Sequence, residues 1–123
     1  MKRIRPVLWF LAGALVPSLA LVAQQQEVVS RRVPQFDNAQ VRVWKTIIAP
    51  NQPLSMHRHE NGRVIVALKG GTLQIVPENG EKKPVVWETG SAYWLDADPP
   101  GELHGDLNEG PGVMEVMVIE LQR

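Results

Sequence analysis

The sequence predicts an all-β domain, a sandwich or barrel of about seven to nine short strands. Three observations carry this. Short runs rich in β-branched and aromatic residues recur along the chain, as in Val41–Ile48, Arg63–Lys69 and Val113–Leu121. Turn chemistry separates them, notably Asn61-Gly62, Gly70-Gly71 and Gly110-Pro111-Gly112. Beyond the N-terminal apolar run, no segment sustains a helical period of ~3.6 residues with caps at its ends. An immunoglobulin-like sandwich fits the same composition.

The chain opens with Lys2, Arg3 and Arg5, followed by 17 uncharged residues from Val7 to Ala23 and the polar Gln24-Gln25-Gln26. This is the layout of a secretory signal peptide over residues 1–23, with small residues that permit cleavage after Ala20 or Ala23. The apolar run contains Pro17 and is short for a bilayer span of ~20 residues, so no membrane anchor is expected after cleavage. The expected location is periplasmic or secreted. Residues 24–39 are polar and read as an N-terminal arm with one edge strand, and residues 40–123 as the barrel domain.

Val41–Ile48 is a strand, and Pro50-Asn51-Gln52-Pro53 turns the chain. Leu54–His59 reads as a short strand, and Asn61-Gly62 as a hairpin signal leading into Arg63–Lys69. After Gly70-Gly71, Thr72–Val76 returns. A polar loop from Pro77 to Pro84 precedes Val85–Glu88. Thr89-Gly90 turns into Ala92–Leu95. Pro99-Pro100 excludes helix, because it fixes φ and removes two donors. A short strand within Glu102–Asn108 and the last strand, Val113–Leu121, complete the series. In Arg63–Lys69 both Val64, Val66, Leu68 and the alternate set Ile65, Ala67 are apolar. A strand apolar on both faces needs a second cover, and a homodimer would supply it.

Composition narrows the function. The 123 residues carry 13 Lys+Arg and 13 Asp+Glu. Removing Lys2, Arg3 and Arg5 leaves 10 against 13, a net charge of −3. With no basic run, nucleic acid is not an expected partner. The absence of cysteine excludes disulfides, thiolate nucleophiles and cysteine-ligated metals. A metal here must be held by His, Asp, Glu or neutral oxygen.

The chain has 3 histidines: His57, His59 and His104. Residues i and i+2 of a strand project from one face, so His57 and His59 can converge on one ion. Alone, such a pair is a weak signal. His104 strengthens it through its setting, Pro99-Pro100-Gly101-Glu102-Leu103-His104-Gly105-Asp106-Leu107-Asn108.

These segments resemble the two motifs of the cupin superfamily. In the first motif, His-x-His is followed by three or four residues, Glu, six residues and Gly; here His57 and His59 are followed by three residues, Arg63, six residues and Gly70. The second ends as Pro99, Gly101, His104 and Asn108, in the family's spacing. The resemblance covers about residues 40–121 and implies a jelly-roll barrel, the double-stranded β-helix. It also implies that His57, His59 and His104 hold a divalent metal. Imidazole suits Zn, Fe, Cu or Ni, Mn is also admissible, and the sequence does not choose. There are two departures. The family's ligating Glu is Arg63, and Gly90 lies nine residues before Pro99 where six are usual, which makes Asp96-Ala97-Asp98 a candidate insertion.

Arg63 cannot ligate, since it stays protonated and accepts no hydrogen bond. Three readings follow. Three imidazoles hold the metal and an inward Arg63 anchors an anionic molecule through its planar fork. Alternatively Arg63 pairs with Glu60, Asp96, Asp98, Glu102 or Asp106 and takes no part in chemistry. In the third reading the site is a relic. Asp106 and Glu102 lie two residues either side of His104 and can face inward with it, as partners to an imidazole. Glu60 neighbours His59 and so belongs to the other face. The expectation is an exported, metal-dependent enzyme (oxygenase, lyase or isomerase) acting on a small anionic molecule, with Arg63 as the catalytic candidate. The alternatives are a non-catalytic binding module and a dimerising barrel with a degenerate site.

Overall fold

The computed structural model describes residues 12–14 and 27–123. The expected leader, apart from residues 12–14, lies outside the described residues, as does the start of the arm. Among the described residues there are eight strands and no helix: β1 Arg31–Asp37, β2 Val41–Ile48, β3 Arg63–Lys69, β4 Gly71–Pro77, β5 Lys83–Trp87, β6 Ala92–Leu95, β7 His104–Asn108 and β8 Met114–Leu121. β2 and β3 have the bounds that their β-branched runs suggest. β1, in the polar arm, is the edge strand of the larger sheet and pairs with β2, with a bulge between Pro34 and Phe36.

Two antiparallel sheets form a jelly-roll barrel. One has the order β1-β2-β8-β3-β6 and the other β5-β4-β7. Strand alternation decides what enters the barrel. In β3, Arg63, Ile65 and Ala67 are buried. Opposite them in β8 stand Glu120, Val118 and Val116. Trp44 and Ile48 of β2 join Val116, Val118 and Met114 in the core, with Leu73 and Trp87 from the other sheet. Leu73 is fully enclosed, so Leu73→Ala should cost about 2–5 kcal/mol. Among the apolar core, Arg63 is 6 % exposed, a charged residue in an inward register position.

Two local expectations need correction. Leu54–His59 is not a regular strand. It is an extended segment that borders β7, bonded through Leu54 N to the Asp106 carbonyl and reciprocally between His57 and His104. Asn61-Gly62 therefore does not close a hairpin; it carries the chain from the smaller sheet to the larger one. The tight-turn signal was sound, but turn chemistry does not say which strands pair. Likewise β4 does not return against β3 but crosses to the other sheet. Gly70 permits that crossing, because a Cβ there would lie 2.0 Å from the Trp87 carbonyl oxygen.

Candidate metal centre

The extended segment and β7 bring the three histidines together. His57 and His104 exchange backbone hydrogen bonds of 2.9 Å in both directions, which sets their rings side by side, centroids 4.5 Å apart. His59, two residues on, returns to the same face, with its ring 4.9 Å from His57 and 5.8 Å from His104. One nitrogen from each ring lies within 4.8 Å of the others. The intervening Arg58 points away and ties the neighbouring loop, donating to the carbonyls of Asp98 (3.1 Å) and Pro99 (3.0 Å).

Two of the rings have a hydrogen-bonded acceptor at Nδ1, and the third has a carboxylate nearby. His57 Nδ1 lies 2.7 Å from the Ser55 carbonyl, and a carbonyl only accepts, so Nδ1 carries the proton and Nε2 the lone pair. His59 Nδ1 lies 3.0 Å from Glu120 Oε2. His104 Nδ1 lies 3.6 Å from Asp98 Oδ2. This leaves Nε2 of His57 and His59 on the inner side, the arrangement by which outer acceptors orient metal-binding imidazoles, and one nitrogen of His104 joins them. His57 Nε2 is buried and has no hydrogen-bond partner. A buried lone pair without a donor is costly, and a cation would satisfy it.

The electrostatics agree with that ligand state. Burial, then the positive charge of Arg63, pushes His59 down to about 3. His57 is also lowered, chiefly by burial, against the opposing pull of the Ser55 carbonyl and Asp106. Neutral imidazole is the form that binds a metal. With His59 neutral, its contact with Glu120 is a hydrogen bond rather than an ion pair. Burial pushes Asp106 and Glu120 above the ordinary carboxylate range, while neighbouring cationic groups pull both back.

Arg63 faces inward from the position of the family's Glu. It donates to the Asp96 carbonyl at 3.0 Å and stands 3.6 Å from Asp98 Oδ1. Asp98 in turn accepts the His59 backbone N–H at 2.7 Å. The Asp96-Ala97-Asp98 stretch is thus a cover on the histidine site. Glu60 and Glu102 are exposed and outside it, whereas Asp106 is inside, 3.4 Å from His57 Nε2. Sequence reasoning missed the Ser55 carbonyl, Glu120 and Arg32. Glu120 was detectable, since it continues the inward alternation Met114, Val116, Val118.

A cavity of about 500 Å³ opens beside the histidines toward β1 and β2, lined among others by Arg32, Phe36, Arg42, Trp44, His57 and His59. Trp44 lies parallel to the His59 ring, centroids 6.1 Å apart, and its indole N–H donates to Thr46.

A double-stranded β-helix with three inward imidazoles contributed by two motifs defines the cupin class. The solved structures agree on the fold. No family model matches the chain. It is 35% identical over 89 residues to the β-alanine degradation protein BauB of Pseudomonas aeruginosa, covering 72% of this chain and 86% of that protein. A cupin domain from Bordetella pertussis superposes with a TM-score of 0.68 at 21% identity, over 80% of this chain and 99% of that one. A double-stranded β-helix domain protein from Klebsiella pneumoniae gives 0.57 at 18% identity, over 80% and 81%. An RmlC-like cupin protein from Desulfovibrio desulfuricans gives 0.56 at 17%, over 86% and 96%. The chain belongs to the cupin superfamily.

Proposed function

We propose that this chain is a metal-dependent cupin enzyme whose three-histidine site acts on a small anionic molecule. The observation that carries the reading is the convergence of three imidazoles, two of them held by an acceptor at Nδ1, beside an open cavity. A bound divalent ion would supply Lewis-acid chemistry with coordination positions left for water or an anion. His57, His59 and His104 would hold it. Arg63 supplies positive charge beside the site, and Arg32 a second charge at its mouth. The relative named for β-alanine degradation supports a carboxylate-bearing molecule, because β-alanine carries one. The same reading makes the chain an exported product, with residues 1–23 removed, and a homodimer that covers the outer face of β3. The mass of the protein recovered from its native envelope and its sedimentation behaviour test those two points.

The test of the site is elemental analysis of protein purified without a histidine tag. About one divalent ion per chain is expected, lost in His57→Ala, His59→Ala and His104→Ala. Undiminished binding in all three variants overturns the assignment. One observation favours a second reading, a binding module without turnover: Arg63 occupies the carboxylate position and is paired with Asp98. Metal-loaded protein that binds β-alanine or another small carboxylate but leaves it unchanged would favour that module.

A further inference from the structure

Asp106 is on the same face of β7 as His104, two residues on, and its carboxylate lies among the inward nitrogens. Oδ2 is 3.4 Å from His57 Nε2, and Oδ1 is 3.9 Å from His104 Nε2. His57 donates through Nδ1 to Ser55, so its Nε2 faces Asp106 as an acceptor facing an acceptor. Two lone pairs at that distance repel unless a positive centre lies between them. Two ligands at ~2.1 Å from one ion are roughly 3.0–3.4 Å apart across octahedral to tetrahedral angles, so the spacing suits neighbours in one coordination shell, and an ion that takes five or six donors keeps a position for the anion.

The other carboxylates are committed elsewhere. Asp98 faces Arg63, the His59 backbone N–H and His104 Nδ1. Glu120 is on the Nδ1 side of His59. Among the described residues, Asp106 is the carboxylate left to face the Nε2 side of His57 and His104. An ion sharing a small pocket with Arg63 also needs negative charge to offset their repulsion.

We infer that Asp106 is the fourth protein ligand of the metal, and that this chain has moved its ligating carboxylate from the first motif, where Arg63 stands, to β7. The inference rests on the three-histidine reading and sharpens it to a His₃Asp set of mixed nitrogen and hard oxygen donors. Such a set favours an ion that accepts both.

Cobalt(II) titration of the tag-free protein tests it, followed by visible absorption and by the structure of cobalt-soaked crystals. Asp106→Asn should weaken Co²⁺ by ~100-fold or more and change the absorption band. Glu120→Gln, which removes only an outer partner, should cost nearer ~10-fold. Asp106→Glu should recover part of the loss, and in the wild-type crystal a carboxylate oxygen of Asp106 should lie ~2.0–2.2 Å from cobalt. Wild-type binding that Asp106→Asn leaves unchanged, with the same band, removes Asp106 while the three-histidine site stands. Asp106 clear of the cobalt in the wild-type crystal has the same meaning. A wild type that binds no Co²⁺ overturns both readings.

Discussion

Asp98 lies between Arg63 and His59: one carboxylate oxygen is 3.6 Å from the Arg63 guanidinium, and the other accepts the His59 backbone N–H at 2.7 Å. Through Asp98, a charge in the position of the family's Glu holds the covering loop and the metal-binding segment together. Arg63→Gln breaks a largely buried pair and leaves Asp98 without its cation. A loss of about 3 kcal/mol in denaturant unfolding is expected. An unchanged unfolding midpoint would mean that the pair has no structural role.

Arg63→Glu should separate metal from anion. Added negative charge should tighten Co²⁺ binding, while a small carboxylate such as β-alanine should bind the metal-loaded protein more weakly. The new carboxylate also stands beside Asp98, so this variant should unfold more readily than Arg63→Gln. Calorimetric titration with Co²⁺, then with β-alanine, measures both affinities. Movement of the two in the same direction would count against a charge effect.

The metal-free protein should lose stability on acidification. His59 is held near pH 3 in the folded chain, against about 6.5 when unfolded, so the unfolded chain takes up the proton first. Its contribution is complete above about pH 6.5 and falls away as pH drops toward about 3. His57 is shifted in the same direction. Asp106 and Glu120 act oppositely: their raised values make the folded chain the better proton acceptor, which offsets part of the loss at lower pH. Urea unfolding between pH 7.5 and pH 5 should show the decline, and His59→Gln should flatten it. A profile already flat in the wild type contradicts the buried, neutral state of these rings.

The strands were legible because their pattern is local. β2 and β3 follow from their β-branched runs, and the two motifs located the three histidines. Pairing was not legible, because nothing within Asn61-Gly62 or Gly70-Gly71 says which sheet receives the next strand. The outer acceptors divide along the same line. Glu120 was readable from alternation in β8. The Ser55 carbonyl was not, since any residue supplies one and only backbone geometry aims it. Asp98 was one of five carboxylates left open as a partner for Arg63, and its bond to the His59 backbone depends on a loop path that no local pattern encodes.

Asn108, the last residue of the second motif, is 1 % exposed and acts as a staple. Its amide donates to the Ile48 carbonyl at 3.0 Å and the Gly112 carbonyl at 2.7 Å, and its side-chain oxygen accepts from Gly110 N at 2.9 Å. Asn108→Ala strands buried polar groups and opens a cavity between β7 and β2. A cost of about 2–4 kcal/mol is expected, with metal affinity little changed in the protein that remains folded. Asn108→Asp keeps the acceptor but removes both donors and should be no better. Thermal unfolding beside Co²⁺ titration separates the two effects. A large loss of metal affinity at unchanged stability would make Asn108 part of the site instead.

Arg32 is exposed at the mouth of the cavity, and no side-chain hydrogen bond or ion pair engages it among the described residues. Other cations nearby are occupied: Arg42 pairs with Asp37 at 3.0 Å and Arg58 holds the covering loop. Arg32 also borders the inner space shared by the histidines and Arg63, so its guanidinium can reach a molecule bound there. An arginine fork without a partner matches a carboxylate in geometry as well as charge. Arg32→Ala should therefore weaken binding of β-alanine or another small carboxylate to the metal-loaded protein by ~10-fold, and Arg32→Lys by less. Because Arg32 is exposed, neither change should shift the unfolding midpoint measurably. Raising the salt concentration should erode wild-type carboxylate binding more than that of Arg32→Ala, since a screened charge contributes less. Calorimetric titration at two ionic strengths measures each of these. Equal affinities in Arg32→Ala and wild type at low salt would leave Arg63 as the cation that meets the anion.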